Sequence, residues 1–331
     1  MEIFRTLVPV SPSAKKLNYG SKIMFIGSCF SEYIGNKLVE TKFSIDNNPF
    51  GIVFNPLSIS LQLEKLINPI EYTIDNLFLS EDVWCSFDHH SKFSCSDEQA
   101  CLSTINKRLH ESHHNLKSIN ALYITFGTSY VYYAKDSGKI VSNCHKVPAK
   151  DFVRKKMTVQ EIVSAYHQLI PQLQKFNPNI HLIFTVSPIR HWKDGAHENQ
   201  LSKASLLLAI DEICSLYPNT SYFSSYEIVM DDLRDYRFYA EDMLHPNSLA
   251  INYIWDRFKE CFMEPDTLLL MKEIEKVVQA SKHKPFNAKT EAFQSFARQF
   301  YDKIQYLKEQ YHIPFETEEN YFRSFLTGSI N

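Results

Sequence analysis

The sequence predicts an α/β fold in which a parallel sheet is covered by helices on both faces, followed by a helical extension. Three observations predict it. Short, almost wholly apolar runs recur as far as Pro265; amphipathic stretches with helix-start signals fill the gaps between them; and beyond Pro265 only long, charged, amphipathic segments remain. Apolar runs of strand length suit strands buried on both faces. Strands that alternate with helices build a parallel sheet wrapped on both sides.

The first run, 22–26 (Lys-Ile-Met-Phe-Ile), ends abruptly at Gly27 and two small nucleophile-type residues, Ser28 and Cys29, and a helix-like segment follows at once. A second run, 122–126, stops at Gly127; a third, 180–186, stops at Ser187-Pro188; 220–223 is a weaker fourth. Ser96-Asp97-Glu98-Gln99 has the capping-box pattern and opens a helix running to about residue 116. Thr158-Val159-Gln160-Glu161 repeats the pattern and opens a second helix, to about residue 175, and 201–216 and 249–262 also read as helices. Two insertions interrupt the alternation. Residues 130–141 read as a hairpin turning at Asp136-Ser137-Gly138, and 190–199 read as a polar loop. Residues 266–281 and 288–310 read as the helices of the extension, separated by Lys284-Pro285. The expected division is a catalytic unit over 1–264 and a helical extension over 265–331. The aromatic residues Phe293, Phe296, Phe300 and Tyr301 recur at helical spacing and read as packing rather than as a partner-binding face.

Composition narrows the function classes. The chain has 331 residues, 44% hydrophobic and 22% charged, enough for one large core with an appendage. Its formal net charge is −3, so neither nucleic acid nor an anionic membrane surface is an implied partner. The 7 cysteines include no C-x-x-C, which argues against a disulfide scaffold and a zinc ribbon. No apolar run approaches the length of a membrane span. The N-terminus lacks the basic-apolar-small pattern of a secretory leader, which makes the cytoplasm the expected address by default. Oligomeric state has no signature.

In an open parallel sheet, ligands bind outside the carboxyl ends of the strands at a switch point. Ser28-Cys29, Gly127-Thr128, Ser187-Pro188 and the late Asp242-Met243-Leu244-His245-Pro246 all fall at such places. A hydroxyl or thiol is a weak nucleophile until a base takes its proton. His245 supplies such a base, and Asp242 a carboxylate to orient it. A tight turn into a helix would aim backbone N–H groups at a developing oxyanion. Bland readings stand beside these. Ser28 and Cys29 also suit a small-residue core turn, and Asp242 and His245 suit a helix cap and a surface histidine. Asn143-Cys144-His145-Lys146 suits a site wall or a structural turn equally. Arg190, His191, Lys193 and His197 suit a substrate-covering loop or a solvated one. His110, His113 and His114 share a helix face with metal-ligand spacing, but no neighbouring cysteine pattern supports a metal site there or at Asp88-His89-His90.

Gly27-Ser28-Cys29-Phe30-Ser31 resembles the signature of the GSCFA family, with Ser31 where that family usually has Ala. Asn48-Pro49-Phe50-Gly51, Phe126-Gly127-Thr128, Asn143-Cys144-His145-Lys146, Thr185-Val186-Ser187-Pro188 and Asp242-Met243-Leu244-His245-Pro246 are similar too, in the same order, over roughly residues 5–262. The family is placed with the SGNH (GDSL-type) hydrolases. The resemblance implies a three-layer flavodoxin-like sheet. It also implies hydrolysis or transfer of an ester-linked acyl group, such as O-acetyl on a carbohydrate, through a covalent acyl-enzyme. Cys29 matches the superfamily's nucleophile by register, and a one-residue shift restores Ser28. His245 would be base and then acid, and Asp242 its orienting carboxylate. Gly51 and the Gly127-Thr128 turn would hold the oxyanion, with Asn143 or His145 reaching in from the hairpin. A Cys nucleophile at a helix N-terminus beside a His is expected to have a lowered pKa. No cofactor is implied, although a transferase would draw on a donor such as acyl-CoA. The Gly-x-Asn-Asp pattern of the superfamily is replaced by Gly127-Thr128-Ser129, which keeps open a rival reading: a binding protein that retained the fold and lost the chemistry.

Overall fold

The computed structural model describes residues 6–326. The strands are β1 (Ile23–Gly27), β2 (Ile45–Asn47), β3 (Phe78–Ser80), β4 (Val83–Cys85), β5 (Ala121–Phe126), β6 (Tyr130–Ala134), β7 (Ile140–Val141), β8 (Phe152–Lys156), β9 (His181–Val186) and β10 (Thr220–Tyr222). The helices are α1 (Cys29–Glu40), α2 (Pro56–Ile67), α3 (Glu98–Leu116), α4 (Val159–Phe176), α5 (Gly195–Leu216), the short α6 (Ser225–Glu227), α7 (Ser248–Phe262), α8 (Pro265–Ser281), α9 (Glu291–Tyr311) and α10 (Glu316–Leu326).

Five strands form one parallel sheet in the order β10-β9-β5-β1-β2. Counted within the sheet this is the 2-1-3-4-5 order of flavodoxin-like folds. The chain leaves β1 towards β2 on one side and returns to β5 on the other, so the switch point lies between the carboxyl ends of β1 and β5. Alternate residues of each strand serve two cores. Met24, Ile26, Leu122, Ile124, Phe126 and Phe184 pack with buried residues of α2, α3, α4 and α5. Ile23, Phe25, Tyr123 and Ile183 pack with Phe30, Ile34 and Leu38 of α1 and with Ile254 and Phe258 of α7. Three layers result.

Local signals explain most of the boundaries. The Thr158–Glu161 capping box forms as expected: the Thr158 side chain accepts from the Glu161 N–H and the Glu161 carboxylate from the Thr158 N–H. The first box is displaced by one residue, because Asp97 rather than Ser96 caps α3 by accepting from the Ala100 N–H at 2.6 Å. The hairpin turning at Asp136-Ser137-Gly138 is β6–β7, but it belongs to a three-stranded antiparallel sheet whose far strand, β8, has the sequence Phe-Val-Arg-Lys-Lys. Its charged, edge-type composition hid it. Half of the expected 190–199 loop is helical, because α5 begins at Gly195. Its preceding residue, Asp194, makes no cap, since its carboxylate is held by Arg154. Beyond α7, α8, α9 and α10 share a core of their own that includes Ile274, Val277, Ala297, Ile304, Phe315 and Phe322. The C-terminal aromatics lie in it, with Phe300 stacked on Phe322 at 5.6 Å. Among the described residues no helix is long and apolar enough to cross a membrane.

Candidate active site

The site begins at the turn from β1 into α1. Gly27 sits at φ 139°, and a Cβ there would stand 2.3 Å from the Thr125 carbonyl oxygen of the neighbouring β5, so only glycine lets the two strand ends close up. Ser28 follows as the N-cap of α1. It is 1% exposed; its hydroxyl accepts from the Phe30 N–H at 3.3 Å, and its own N–H donates to Thr125. Cys29 is the first residue of the helix and is partly exposed. Of the two candidate nucleophiles, Ser28 is committed to capping and Cys29 faces outward.

The Cys29 thiol does not have the lowered pKa expected of it. Burial pushes it up to about 11, and the Glu32 carboxylate one turn on adds to the rise. The backbone N–H groups of Cys29 and Phe30 and the ammonium of Lys203 pull the other way and are outweighed. Desolvation of a thiolate beats the partial charge of a helix end, which acts only over its first turn.

Asp242 and His245 occupy the loop before α7. One Asp242 carboxylate oxygen accepts the N–H groups of Leu244 and His245, each at 2.9 Å, and the other lies 2.5 Å from His245 Nδ1. Those backbone N–H groups and the imidazole hold the Asp242 pKa down to about 2. An ionised carboxylate can only accept, so Nδ1 carries a proton, and in the neutral ring the lone pair is on Nε2. The loop is tied to the exit of β9: the Arg190 guanidinium donates to the Met243 carbonyl, and the Arg190 N–H to the Leu244 carbonyl at 3.4 Å. Tyr33, its pKa raised first by burial, is raised further by the negative forms of Cys29 and Asp242. Sulfur and carboxylate therefore stand within electrostatic reach of one phenol.

The other predicted residues divide. The Gly51 N–H is spent on the Asn48 carbonyl at 2.8 Å, and the Gly127 and Thr128 N–H groups both donate to the Phe54 carbonyl, at 2.7 and 3.0 Å. The Thr128 hydroxyl pairs with Ser202 at 3.2 Å. None of these backbone donors is free for an oxyanion in this geometry. Asn143 lines a cleft of about 440 Å³ beside the Gly127 turn, together with Phe54, Thr128 and Tyr130. His145 is not brought there. Its Nε2 lies 2.8 and 2.9 Å from the Ser86 and His89 carbonyl oxygens, and its ring packs edge-on to Phe78. His89 is buried among Phe50, Tyr72 and Phe93, and His110 pairs with Glu71. Among the described residues no group of three or more His, Cys, Asp or Glu side chains is placed to hold a metal ion. A larger cavity, about 700 Å³, lies between residues 18–20 and α8 and α9, and its wall has no Cys, Ser or His.

Two residues beside the site were not singled out for a role of their own. Lys203 is 1% exposed, and its ammonium donates to the carbonyl oxygens of Gly127 and Ser187, at 2.7 and 2.6 Å, clamping the exits of β5 and β9. Burial drives its pKa down to about 7, while the negative form of Cys29 pulls it up. The signal was present in the sequence: 203, 206, 210 and 213 lie on one helical stripe, and the other three are buried apolar residues. His191 packs edge-on to Phe54, and its buried Nε2 has no hydrogen-bond partner among the described residues. Burial, then the charges of Lys203, Arg154 and His245, hold its pKa down to about 3, so it is neutral.

The fold overlaps several esterase structures at low identity. An acetyl xylan esterase from the rumen bacterium Butyrivibrio proteoclasticus has 13% identity and a TM-score of 0.37, covering 72% of this chain and 63% of that one. A family 2 carbohydrate esterase with a carbohydrate-binding domain from Corynascus thermopiles (Myceliophthora fergusii) has 13% identity and a TM-score of 0.36, covering 76% and 66%. A family two carbohydrate esterase from Clostridium thermocellum in complex with cellohexaose has 14% identity and a TM-score of 0.35, covering 74% and 64%. The chain thus spans just under two thirds of the length of these structures. No curated protein matches it. The sequence model of the GSCFA family matches residues 22–258, and that of the GSCFA C-terminal domain matches residues 274–328. The chain therefore belongs to the GSCFA family.

Proposed function

We propose that this protein hydrolyses or transfers an ester-linked acyl group through a thioester on Cys29. One observation carries the reading. The partly exposed Cys29 thiol opens α1 at the switch point of the sheet, and the loop tied to the exit of β9, on the far side of β5, carries a histidine whose Nδ1 proton is held by an ionised carboxylate.

A thiol raised to about 11 is protonated at neutral pH, so a preformed thiolate–imidazolium pair is not the resting state. The chemistry then requires general-base catalysis. His245 Nε2 takes the thiol proton as sulfur bonds to the acyl carbon. The tetrahedral oxyanion collapses, the ester C–O bond breaks, and the leaving alkoxide takes the proton from His245. Water, or an acceptor hydroxyl in a transferase, repeats the sequence on the thioester and restores the thiol. The Cys29 N–H at the helix end is the backbone donor nearest the reacting atoms, and protonated Lys203 adds positive potential from below. An O-acetyl carbohydrate is the substrate class we favour, with acyl-CoA as donor if the acyl group is transferred.

A second reading has a specific observation behind it. The Gly51, Gly127 and Thr128 N–H groups are all spent within the fold, as they would be in a binding protein that has lost its oxyanion hole. Incubation with a short-chain aryl acetate, followed by intact mass and peptide mapping, separates the two. An acetyl adduct on Cys29 that is absent in His245→Ala supports the acyl-enzyme. A folded protein with neither adduct nor turnover leaves the binding reading.

A further inference from the structure

The cleft beside the Gly127 turn has an unusual charge pattern. Its wall carries Arg154, Arg190 and Lys193 and no carboxylate, on a chain whose formal net charge is −3. The three cations are not equivalent. Arg154 is compensated, because both terminal nitrogens of its guanidinium bond the Asp194 carboxylate. Arg190 has no ion-pair partner among the described residues. It donates one bond to the Met243 carbonyl, lies over the rings of Tyr239 at 4.7 Å and Trp192 at 5.1 Å, and its Nε is buried without a hydrogen-bond partner. Lys193 likewise has no carboxylate partner among the described residues; its ammonium donates to the Tyr132 hydroxyl at 3.1 Å. Two positive charges on this wall therefore make no ion pair among the described residues, and one belongs to a guanidinium packed against aromatic faces.

A guanidinium with no carboxylate paired to it gains more from an anionic ligand than one whose charge is already matched. A planar, pre-organised fork suits a carboxylate or phosphate, which it can engage through two parallel bonds. The neighbouring Trp192 and Tyr132 rings offer apolar faces of the kind that stack on a sugar or other flat group.

We propose that this cleft recognises an oxyanion on the substrate, a carboxylate or a phosphate, through Arg190 and Lys193. The inference rests on the acyl-transfer reading, because the cleft is bordered by Leu244 of the Asp242–His245 turn and would hold part of that reading's substrate: an acyl ester whose acceptor or donor portion is acidic. The two sources of the anion are an acidic sugar, which supplies a carboxylate, and a phosphorylated acyl donor.

Calorimetric titration of the full chain with galacturonate, inorganic phosphate and, as a neutral control, galactose tests it. One acid should bind more tightly than galactose, and its binding should weaken with added salt. Arg190→Gln and Lys193→Gln should each weaken it by about tenfold, the scale of one charge-assisted hydrogen bond. Preference for galacturonate identifies an acidic glycan, and preference for phosphate a phosphorylated donor. Arg190 also braces the His245 loop, so Lys193→Gln, on an exposed residue, serves if Arg190→Gln does not fold. Binding of neither acid, or binding that Lys193→Gln leaves unchanged, overturns the proposal. A protein that forms the acetyl adduct but binds neither anion refutes this inference alone. One that binds an anion and forms no adduct refutes the acyl-enzyme and keeps the cleft.

Discussion

The two halves of the candidate site are built in opposite dielectric settings. Cys29 is partly and Lys203 fully buried, and burial drives both towards their neutral forms: the thiol up to about 11, the ammonium down to about 7. Asp242 and His245 lie on the surface, where hydrogen bonds rather than desolvation set the carboxylate's pKa at about 2. The difference teaches that burial and surface hydrogen bonding set charge in opposite ways within one site: the interior keeps the proton on sulfur, and the surface turn keeps the Asp242 carboxylate ionised. Under the proposed acyl transfer, the first would be the nucleophile awaiting a base and the second the partner that orients that base.

The largest effect that can break this comparison is loss of the nucleophile. Cys29→Ala should lower aryl acetate turnover by roughly 10⁴-fold or more. Ser28→Ala should keep most of the turnover and cost about 1 kcal/mol of stability, the scale of a lost N-cap. Turnover kept in Cys29→Ala and lost in Ser28→Ala, with both folded, would return the nucleophile to Ser28. Asp242→Asn comes next. It removes the charge that fixes the His245 tautomer, and a fall of about 10²- to 10⁴-fold in kcat is expected, with KM little changed. An unchanged kcat would mean that Asp242 only holds the turn before α7, whose N-cap is Asn247.

Lys203→Met sharpens the buried half. The alkylation rate of Cys29 by iodoacetamide should rise about tenfold per pH unit from pH 7 towards the thiol pKa in the wild type. In Lys203→Met the same profile should move to higher pH, because the ammonium that draws the thiol down is gone. An unmoved profile with an unchanged fold would make Lys203 a strand clamp alone. The same lysine makes a stability prediction. Its folded pKa of about 7 lies below the ordinary 10.5, so between these values the unfolded chain binds more protons than the folded one. Its contribution is full above 10.5 and is lost as pH falls towards 7. Unfolding free energies from urea titrations between pH 7 and 9 should therefore rise more steeply with pH in the wild type than in Lys203→Met. The smallest expected effect lies far from the site: Thr158→Ala should cost about 1 kcal/mol, by breaking the α4 capping box, and leave the alkylation profile of Cys29 unmoved.

Much of the frame was legible in the chain. The apolar runs at 22–26, 122–126 and 180–186 are the three central strands, and Gly27 and Gly127 stand at strand ends as read. The three-residue β2 was not legible, because Ile-Asp-Asn is too short and too polar to show a period. The edge strand β8 was lost for a similar reason. In the candidate site, Asp242 and His245 share a hydrogen bond, and Cys29 is partly exposed while Ser28 is buried.

What the sequence by itself determined is what can be encoded within a turn or two of chain. The strand–glycine–nucleophile junction, the Thr158–Glu161 cap and the Asp242–His245 pair all belong here, because their partners lie within three or four residues of one another. Only the tertiary structure decided the rest. Gly51, Gly127 and Thr128 lost their N–H groups to carbonyls that folding brought alongside. The Cys29 pKa moved opposite to the expected direction, because its burial sums over every element packed around it. The cationic cleft wall arises where the β6–β8 sheet and the β9 exit loop meet. Burial and electrostatic potential are sums over neighbours distant in sequence, and no local pattern carries such a sum.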